Sequence, residues 1–360
     1  MIPRQHLGLL KPYAIPEQPA QGLANIVRLD QNESYFGPSP HAIEAARQAC
    51  ESVWSYPQPD ARDLRIALGK KHSVDPDTIV CGRGAMELIA SLAQIYLEPG
   101  VNAVTSEFGY LFFKTAVKLS GAEIKVAAER DWRVDVDAML SEVDEQTRIV
   151  FIANPGNPTG SYISKKDIVK LRSKLPDEVL LIIDEAYAEF VDETQYEPCF
   201  DLSTTSNTAV LRTFSKIHGM AGMRVGWGVF PQVVVNLLYV VQQPNPVNMP
   251  ALAAAIAAVE DSQHPQWVFQ QNLEIGNQFC EQLRELGFNP LASQTNFILI
   301  PFKDEQTVAE VDSLLRGQGI WVRGMAAYGL KDCFRITIGS AEDMNKTVEC
   351  FKSWGQDNAQ

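Results

Sequence analysis

Short apolar runs alternate with amphipathic segments along the first two thirds of the chain. The runs T-I-V-C-G, N-A-V-T-S and R-I-V-F-I-A each lead into a helical pattern, and V-L-L-I-I is ended by acidic residues. Short runs that are apolar throughout are typical of strands buried on both faces of a parallel sheet. The alternation therefore predicts an α/β fold, with helices covering both faces of a mostly parallel sheet.

The pattern changes after Pro250 and predicts a second, smaller lobe. An alanine-rich helix precedes a long helix around residues 267–286, a helix near 305–318 and strands such as F-I-L-I-P and F-R-I-T-I-G. This mixture is typical of an α+β lobe. The predicted division is an N-terminal arm that forms part of the small domain (1–40), a large domain (41–247) and a small C-terminal domain (248–360).

Composition and charge exclude several classes of partner. The 360 residues carry a formal net charge of −13, whereas nucleic acids and anionic lipids require a basic surface. No apolar stretch approaches the roughly 18 residues of a membrane-spanning helix, and the first residues lack the apolar core of a signal peptide. The six cysteines have neither metal-site spacing nor a disulfide pattern. We expect a soluble cytoplasmic protein that binds neither nucleic acid nor membrane.

Two turns rich in glycine and asparagine follow predicted strands, where parallel sheets bind their ligands. In Gly82–Glu87 (G-R-G-A-M-E), two glycines before a helix let backbone amides approach an anion such as phosphate, although many turns of this kind bind nothing. In Asn154–Gly160 (N-P-G-N-P-T-G), prolines and glycines fix a sharp turn whose asparagines can donate hydrogen bonds to a ligand oxygen. Both turns are candidate ligand contacts.

An acid and a lysine extend this set. Asp184 ends a buried run, where a carboxylate needs a cation or a hydrogen bond unless it caps the next helix. Lys216 lies in a glycine-rich stretch between Ser215 and Arg224. A lysine forms a Schiff base with an aldehyde, and a serine with an arginine can bind a phosphate. An aldehyde, a phosphate and a ring nitrogen beside Asp184 together describe pyridoxal 5′-phosphate.

Motifs along nearly the whole chain resemble those of the fold-type-I, class I/II aminotransferases, most closely the histidinol-phosphate aminotransferase family. The matching segments, in family order, are L-K-P-Y, L-D-Q-N-E-S-Y-F-G-P-S-P, Y-P, G-R-G-A-M-E, N-P-G-N-P-T-G, D-E-A-Y-A-E-F, R-T-F-S-K-I-H-G-M-A-G-M-R-V-G-W, Q-T-N-F-I-L-I, V-R-G-M-A-A-Y-G-L and F-R-I-T-I-G. The resemblance implies a large domain with a seven-stranded, mostly parallel sheet, a smaller α+β domain, and a homodimer that uses pyridoxal 5′-phosphate.

The resemblance also implies roles for the residues around the cofactor ring. Lys216 would form the internal aldimine and act as the catalytic base. Asp184 would keep the pyridinium nitrogen protonated. Asn157 and Tyr187 would donate hydrogen bonds to the phenolic oxygen, and Tyr110 would stack on the ring. Lys216, Asp184 and Tyr187 are therefore the predicted catalytic residues.

The cofactor phosphate has its own predicted contacts. In the resemblance, Ser215, Arg224 and the backbone amides of Ala85 and Met86 bind this phosphate. Tyr56 reaches it from the neighbouring subunit, which is why the resemblance implies a homodimer.

The family resemblance implies four residues that contact the substrate. Arg335 matches an arginine that binds a substrate anion, and Arg323 matches a second arginine of the same pocket. Tyr13 and Asn32, on the N-terminal arm, would close over the substrate.

Several positions depart from the family pattern. The family's N-E-N-P-Y-G is N-E-S-Y-F-G here, which changes Ser34 and Tyr35. The stretch V-Q-Q-P-N-P-V-N, with Gln243 and Pro246, stands where the family more often has an arginine and P-F-N-V-N. Met86 replaces an acid of the phosphate turn. These departures concern the substrate more than the cofactor.

The activity implied is a ping-pong transamination through the Lys216 aldimine, with histidinol phosphate as amino donor and 2-oxoglutarate as acceptor. Two alternatives share the scaffold. One is an aminotransferase for aromatic amino acids or a specialised metabolite, and the other is a phosphothreonine-type decarboxylase. They differ in the carboxylate or phosphate that Arg335 and Arg323 would bind.

Overall fold

The structure is a computed structural model that describes Leu7, residues 26–192 and residues 194–358. Tyr13 and the segment L-K-P-Y lie outside the described residues. Within the described part, no helix is both long and apolar enough to cross a membrane.

The larger sheet has seven strands in the order β2-β10-β9-β8-β7-β3-β4. Its strands are β2 (Ile79–Gly82), β3 (Asn102–Ser106), β4 (Glu123–Ala127), β7 (Thr147–Ala153), β8 (Leu180–Asp184), β9 (Thr208–Thr213) and β10 (Gly226–Val229). Strand β10 is antiparallel to both of its neighbours, and the other pairs are parallel. The predicted mostly parallel sheet is confirmed.

The smaller sheet has four strands in the order β1-β12-β13-β11. They are β1 (Val27–Leu29), β11 (Phe297–Pro301), β12 (Ile320–Met325) and β13 (Leu330–Thr337). The chain thus contributes an N-terminal strand to a sheet built otherwise from its last third. A two-stranded hairpin, β5 (Glu129–Arg130) with β6 (Arg133–Val134), completes the strands of the described residues.

Helices surround both sheets. Their bounds are α1 (Pro40–Ala49), α2 (Arg62–His72), α3 (Ala85–Tyr96), α4 (Leu111–Ser120), α5 (Val136–Ser141), α6 (Lys165–Lys174), α7 (Phe200–Thr205), α8 (Gln232–Val241), α9 (Met249–Glu260), α10 (Gln263–Glu285), α11 (Glu305–Gly317) and α12 (Ala341–Asn358). Polar caps fix several starts: Ser164 accepts a hydrogen bond from the Asp167 amide, and Asn248 from the Ala251 amide. The helical pattern predicted after R-I-V-F-I-A is observed as α6.

The two faces of the large sheet have separate cores. Leu180 and Ile182 of β8 pack with Phe113 on one face, and Leu181 and Ile183 pack on the other. This alternation follows from the period of two in a strand. The small sheet has a third core, which includes β1 and α12 residues.

Helix α9 joins the core of the large sheet, although it begins one residue after the predicted boundary at 248. It packs against α1 and α2, and its buried Ala251 and Ala255 belong to the same core as Val210 of β9. The division into domains at residue 248 stays a prediction.

The carboxyl ends of the parallel strands bring the candidate residues together. Strand β8 ends at Asp184, β7 leads into Asn154–Gly160, and β9 leads through Ser215 to Lys216. Strand β2 runs parallel to β9, since both are antiparallel to β10, and it ends at the Gly82 turn. One edge of the sheet therefore carries these polar segments, as expected for a parallel α/β sheet.

Candidate active site

Lys216 lies in the loop after β9 with its amine directed at the N-terminal segment. Its Nζ donates to the carbonyl oxygen of Asn32 at 2.9 Å and lies 5.5 Å from the centre of the Tyr187 ring. Burial, together with the positive charges of Arg335 and Arg224, lowers the pKa of Lys216 to about 7. A lysine with this pKa is largely uncharged just above neutral pH and can act as a nucleophile or a base.

Asp184 is buried at the end of β8, and its side chain accepts a hydrogen bond from the Ala186 amide at 3.1 Å. Burial raises the pKa of Asp184 to about 6, against the opposing effects of that hydrogen bond and the charge of Lys216. A cationic partner would stabilise the ionised carboxylate at this position.

Asn32 joins three parts of the site and is itself buried. Its Nδ2 donates to the Tyr187 hydroxyl at 2.9 Å, and its amide nitrogen donates to Thr337 Oγ1 at 3.0 Å. Its carbonyl accepts from Lys216 and, at 3.2 Å, from Asn296 Nδ2. Asn32 has a φ of 55°, in the left-handed region that asparagine tolerates better than most residues. Its contacts thus fix the two candidate catalytic side chains, beyond the substrate contact predicted from sequence.

Arg335 connects the small sheet to the turn after β7. Its Nη1 donates to Asn157 Oδ1 at 2.6 Å, and its Nη2 donates to the Asp30 carbonyl at 3.1 Å. The guanidinium lies 5.4 Å from the centre of the Phe297 ring, and its buried Nε has no partner among the described residues. Arg323 of β12 lies directly opposite Arg335 in the strand register. Two arginines therefore share one end of the small sheet beside the turn.

A candidate anion cradle lies where β2 meets α3. Gly84 precedes α3 and no side chain caps the helix, so the amides of Ala85 and Met86 are available to a ligand. A Cβ at Gly84 would lie 2.8 Å from Arg224 Nη2, which places the guanidinium against the turn. Arg224 Nη1 also donates to Ser215 Oγ at 3.4 Å. Amides, a hydroxyl and a guanidinium thus converge, as phosphate binding requires.

Three tyrosines complete the set of predicted cofactor contacts. Tyr110 lies at the N-cap position of α4 and packs edge-on against Phe113, on the face of the sheet that carries Asp184. Tyr187 is buried, and burial raises its pKa to about 12. Tyr56 is 88% exposed, and its contact with the cofactor phosphate of a neighbouring subunit stays a prediction.

The positions that depart from the family pattern lie around the site. Tyr35 is exposed, whereas Ser34 has a buried hydroxyl without a partner among the described residues. Gln243 Oε1 accepts a hydrogen bond from Arg83 Nη2 at 3.2 Å, so it contacts the phosphate turn itself. Pro246 follows in the segment between α8 and α9.

Sequence reasoning missed Asn296, Phe297 and Thr337 as contributors to the site. Phe297 packs edge-on against Tyr187 at 5.2 Å and lies under Arg335. Asn296 and Thr337 bind Asn32. Asn296 and Phe297 belong to the quoted segment Q-T-N-F-I-L-I and Thr337 to F-R-I-T-I-G, and those matches could have identified all three. Among the described residues, no group of three or more acidic, histidine or cysteine side chains is placed so that it could hold a metal ion.

A family model for aminotransferases of class I and II matches residues 24–351 of the chain. The chain belongs to this family. The match includes the strand ends, both glycine turns and the loop of Lys216, so the predicted family is confirmed.

Relatives and solved structures are similar over nearly the full length of this aminotransferase. A histidinol-phosphate aminotransferase of Rhodopseudomonas palustris (strain BisA53) is 38% identical over 357 residues, which is 98% of each chain. One from Paramagnetospirillum magneticum is also 38% identical, again over 98% of each chain. The crystal structure of histidinol-phosphate aminotransferase from Sinorhizobium meliloti in complex with pyridoxal-5′-phosphate has a TM-score of 0.86 at 29% identity and covers 91% of each chain.

Proposed function

We propose that this protein is a pyridoxal 5′-phosphate-dependent aminotransferase that takes the amino group from histidinol phosphate and transfers it to 2-oxoglutarate. The observation that carries the proposal is the placement of Lys216 and Asp184 at one edge of the sheet, with Arg335 bonded to Asn157 beside them. The full-length similarity to histidinol-phosphate aminotransferases supports the choice of amino donor.

The residues at the site fit the cofactor. The buried Asp184 carboxylate accepts one amide hydrogen bond from Ala186, and a protonated ring nitrogen would complete its environment. The uncapped start of α3 and the Arg224 guanidinium against Gly84 form a cradle for a phosphate. Lys216 has the lowered pKa that bond formation with an aldehyde needs.

Each residue of the site has its own role in the proposed reaction. When bound, pyridoxal 5′-phosphate supplies an aldehyde for the amino group and a ring that accepts electrons from the α-carbon. The neutral Lys216 amine takes the proton from the α-carbon of the donor as general base. The Asp184 carboxylate would keep the ring nitrogen protonated, and Tyr187 and Asn157 would donate hydrogen bonds to the ring oxygen. Tyr110 would stack on the ring, while Ser215, Arg224 and the amides of Ala85 and Met86 would hold the phosphate.

The arginine pair supports a doubly charged substrate anion. Arg323 and Arg335 lie opposite each other on the neighbouring strands β12 and β13, and among the described residues neither forms an ion pair with an acid. Two like charges in register repel each other unless an anion lies between them. A phosphate monoester carries about two negative charges at neutral pH and has the geometry that a guanidinium binds in bidentate fashion.

We further propose that the enzyme is a homodimer, with Tyr56 of one subunit reaching the cofactor phosphate of the other. Trp54 and Tyr56 are 87% and 88% exposed, and Val240 of α8 is 79% exposed. Large exposed apolar side chains of this kind favour a protein interface. The cytoplasmic location stays a prediction.

Replacement of Arg323 by alanine tests the substrate assignment. We expect kcat/KM for histidinol phosphate to fall about 10- to 100-fold, because a charge-assisted hydrogen bond contributes about 1.5–3 kcal/mol. The value for histidinol, which lacks the phosphate, should change less than about threefold. Lys331→Ala is the matched control, since this lysine is an exposed cation on the neighbouring strand β13.

An equal loss with both donors would contradict the phosphate assignment. Release of carbon dioxide from an amino acid donor, without a keto product, would identify the protein as a decarboxylase instead. Efficient transamination of phenylalanine with none of histidinol phosphate would favour the aromatic alternative.

A further inference from the structure

A buried ionic cluster lies behind the site and takes no part in the mechanism above. Arg212 Nε donates to Glu185 Oε2 at 2.9 Å, and Nη1 donates to Glu189 Oε1 at 2.8 Å. The Tyr196 hydroxyl donates to Glu185 Oε2 at 2.9 Å and itself accepts from Arg212. The guanidinium also lies 5.2 Å from the centre of the Phe200 ring. Arg212 is 3% exposed and Glu185 is 1% exposed, so the pair is removed from water.

The cluster lies on the face of the sheet opposite to Asp184. Ile182 belongs to the core on the Phe113 face, and Ile183 to the core that includes Phe200. Because successive side chains of a strand alternate, Asp184 lies on the first face and Glu185 on the second. The cluster therefore touches neither the cradle nor the Lys216 amine.

The same pair joins the two backbone segments that carry the site. Glu185 follows Asp184 directly, and its amide donates to the Leu211 carbonyl at 2.9 Å. Arg212 follows Leu211 and precedes Lys216 by four residues. The side-chain pair adds a link beyond the β8–β9 ladder, which ends at Asp184 and Leu211, at the point where the chain of β8 leaves the sheet.

We propose that Glu185 and Arg212 are positioning residues for the transamination: their buried pair fixes the strand end that carries Asp184 against the strand end that leads to Lys216. This inference rests on the proposed function. Catalytic groups must be held to about 0.5 Å, and a displacement of about 1 Å can cost about 100-fold in rate. A guanidinium that bonds Glu185, Glu189 and Tyr196 at once restrains both distance and orientation, which the single ammonium of a lysine could not do.

Other ionisable side chains lie near the Glu185–Arg212 pair. Lys71 and His72 of α2 and His218 of the Lys216 loop lie close enough to interact with the charge of Arg212, and Asp261 after α9 interacts with Lys71 and His218. Burial lowers the pKa of His72 to about 4 and that of His218 to about 3, so both are neutral at physiological pH. Lys71 faces Glu189 but is not among the charges that act on Glu185, whose nearest cation is Arg212.

Three variants separate positioning from charge. Glu185→Gln removes the acid next to Asp184, and Glu185→Gln with Arg212→Met removes both charges and the link. Glu189→Gln is the matched control, because it removes the other carboxylate from the same guanidinium but lies beyond the strand end. Each holoenzyme is titrated by its visible cofactor absorbance, and kcat and KM are measured with histidinol phosphate.

We expect Glu185→Gln to lower kcat about 10- to 100-fold with little change in KM, and to lower the pKa of the visible chromophore by about one unit. In the double variant the chromophore pKa should return to that of the unmodified protein, whereas kcat stays low. Glu189→Gln should leave both quantities near those of the unmodified protein.

Wild-type kcat in the double variant, which removes the link, would overturn the proposal, as would an equal loss of kcat in Glu189→Gln. If Glu185→Gln does not fold, the charge-balanced double variant gives the decision. If the unmodified protein binds the cofactor but transaminates no donor, the proposed function fails. The chromophore titration still tests the pair, because a pKa that Glu185→Gln leaves unchanged contradicts its coupling to Asp184.

Discussion

Burial shifts the pKa values of Lys216 and Asp184 in the directions that favour the neutral form of each group. Burial lowers the pKa of the amine to about 7 and raises that of the carboxyl to about 6. Each group therefore lacks a strong counter-charge within the chain. A single ligand can supply a partner to both groups. Its aldehyde would bond to the Lys216 amine, and its basic ring nitrogen would share a proton with the Asp184 carboxylate.

The pKa of Lys216 predicts how cofactor attachment depends on pH. Only the neutral amine attacks an aldehyde, so the rate should rise about tenfold per pH unit below pH 7 and level off above about pH 8. A lysine with an ordinary pKa of about 10.4 would instead show a rising rate up to about pH 10. Stopped-flow absorbance of the cofactor-free protein mixed with pyridoxal 5′-phosphate measures this profile. A rate that still rises above pH 9 would contradict the lowered pKa.

At this scale the sequence predicts residue types better than contacts. Lys216 and Asp184 could be recognised because the chemistry of the cofactor demands a primary amine and a carboxylate. The central position of Asn32 could not, since it depends on a left-handed backbone and on contacts with Tyr187 and Thr337, which are distant along the chain. The Glu185–Arg212 pair depends in the same way on the register of two strands.

At the scale of elements, the close approach of β10 to the turn before α3 shapes the cradle. A Cβ at Gly226 would lie 2.5 Å from the Ala85 nitrogen and 2.7 Å from the Gly84 carbonyl carbon. These contacts are with backbone atoms, so a side chain at Gly226 could be accommodated only if the turn moved. The strand thus holds the amides of the turn in position.

Gly226→Ala should therefore weaken cofactor binding. We expect the dissociation constant of pyridoxal 5′-phosphate to rise at least about tenfold, since overpacking by one methyl costs about 1–3 kcal/mol and displaces the Ala85 amide. Gly222→Ala, in the segment just before β10, is the control, because nothing lies within 4 Å of its Cβ position. Equal affinity of the Gly226→Ala and Gly222→Ala proteins in a fluorescence titration would refute this role for β10.

Most helices and strands could be predicted from the sequence, but whether a strand runs parallel or antiparallel to its neighbours could not. Apolar runs predicted the strands ending at Asp184 and Ala153 because both faces of those strands are buried. The antiparallel course of β10 has no signature in periodicity, because a strand has the same alternation in either direction. Strand β1 was missed because its three residues are too short a run, and its partner β12 lies almost 300 residues away.

At the scale of the whole molecule, the N-terminal segment spans both sheets. Strand β1 pairs with β12 in the small sheet, and Asn32 then reaches Tyr187 and Lys216 at the large one. Farther along, a Cβ at Gly219 would collide with the backbone of Gly37. This segment therefore couples the position of the small sheet to the loop that carries Lys216. The sequence predicted an arm here, but only its long-range contacts show which groups it joins.

The most direct test of the central claim is a single half-reaction of the cofactor-loaded protein with histidinol phosphate and no keto acid. We predict loss of the visible cofactor absorbance and formation of the corresponding keto phosphate at about one equivalent per chain, with recovery when 2-oxoglutarate is added. Lys216→Ala should lack both the initial absorbance and the product. Unchanged absorbance in the unmodified protein, or a keto product from Lys216→Ala at the unmodified rate, would contradict the account.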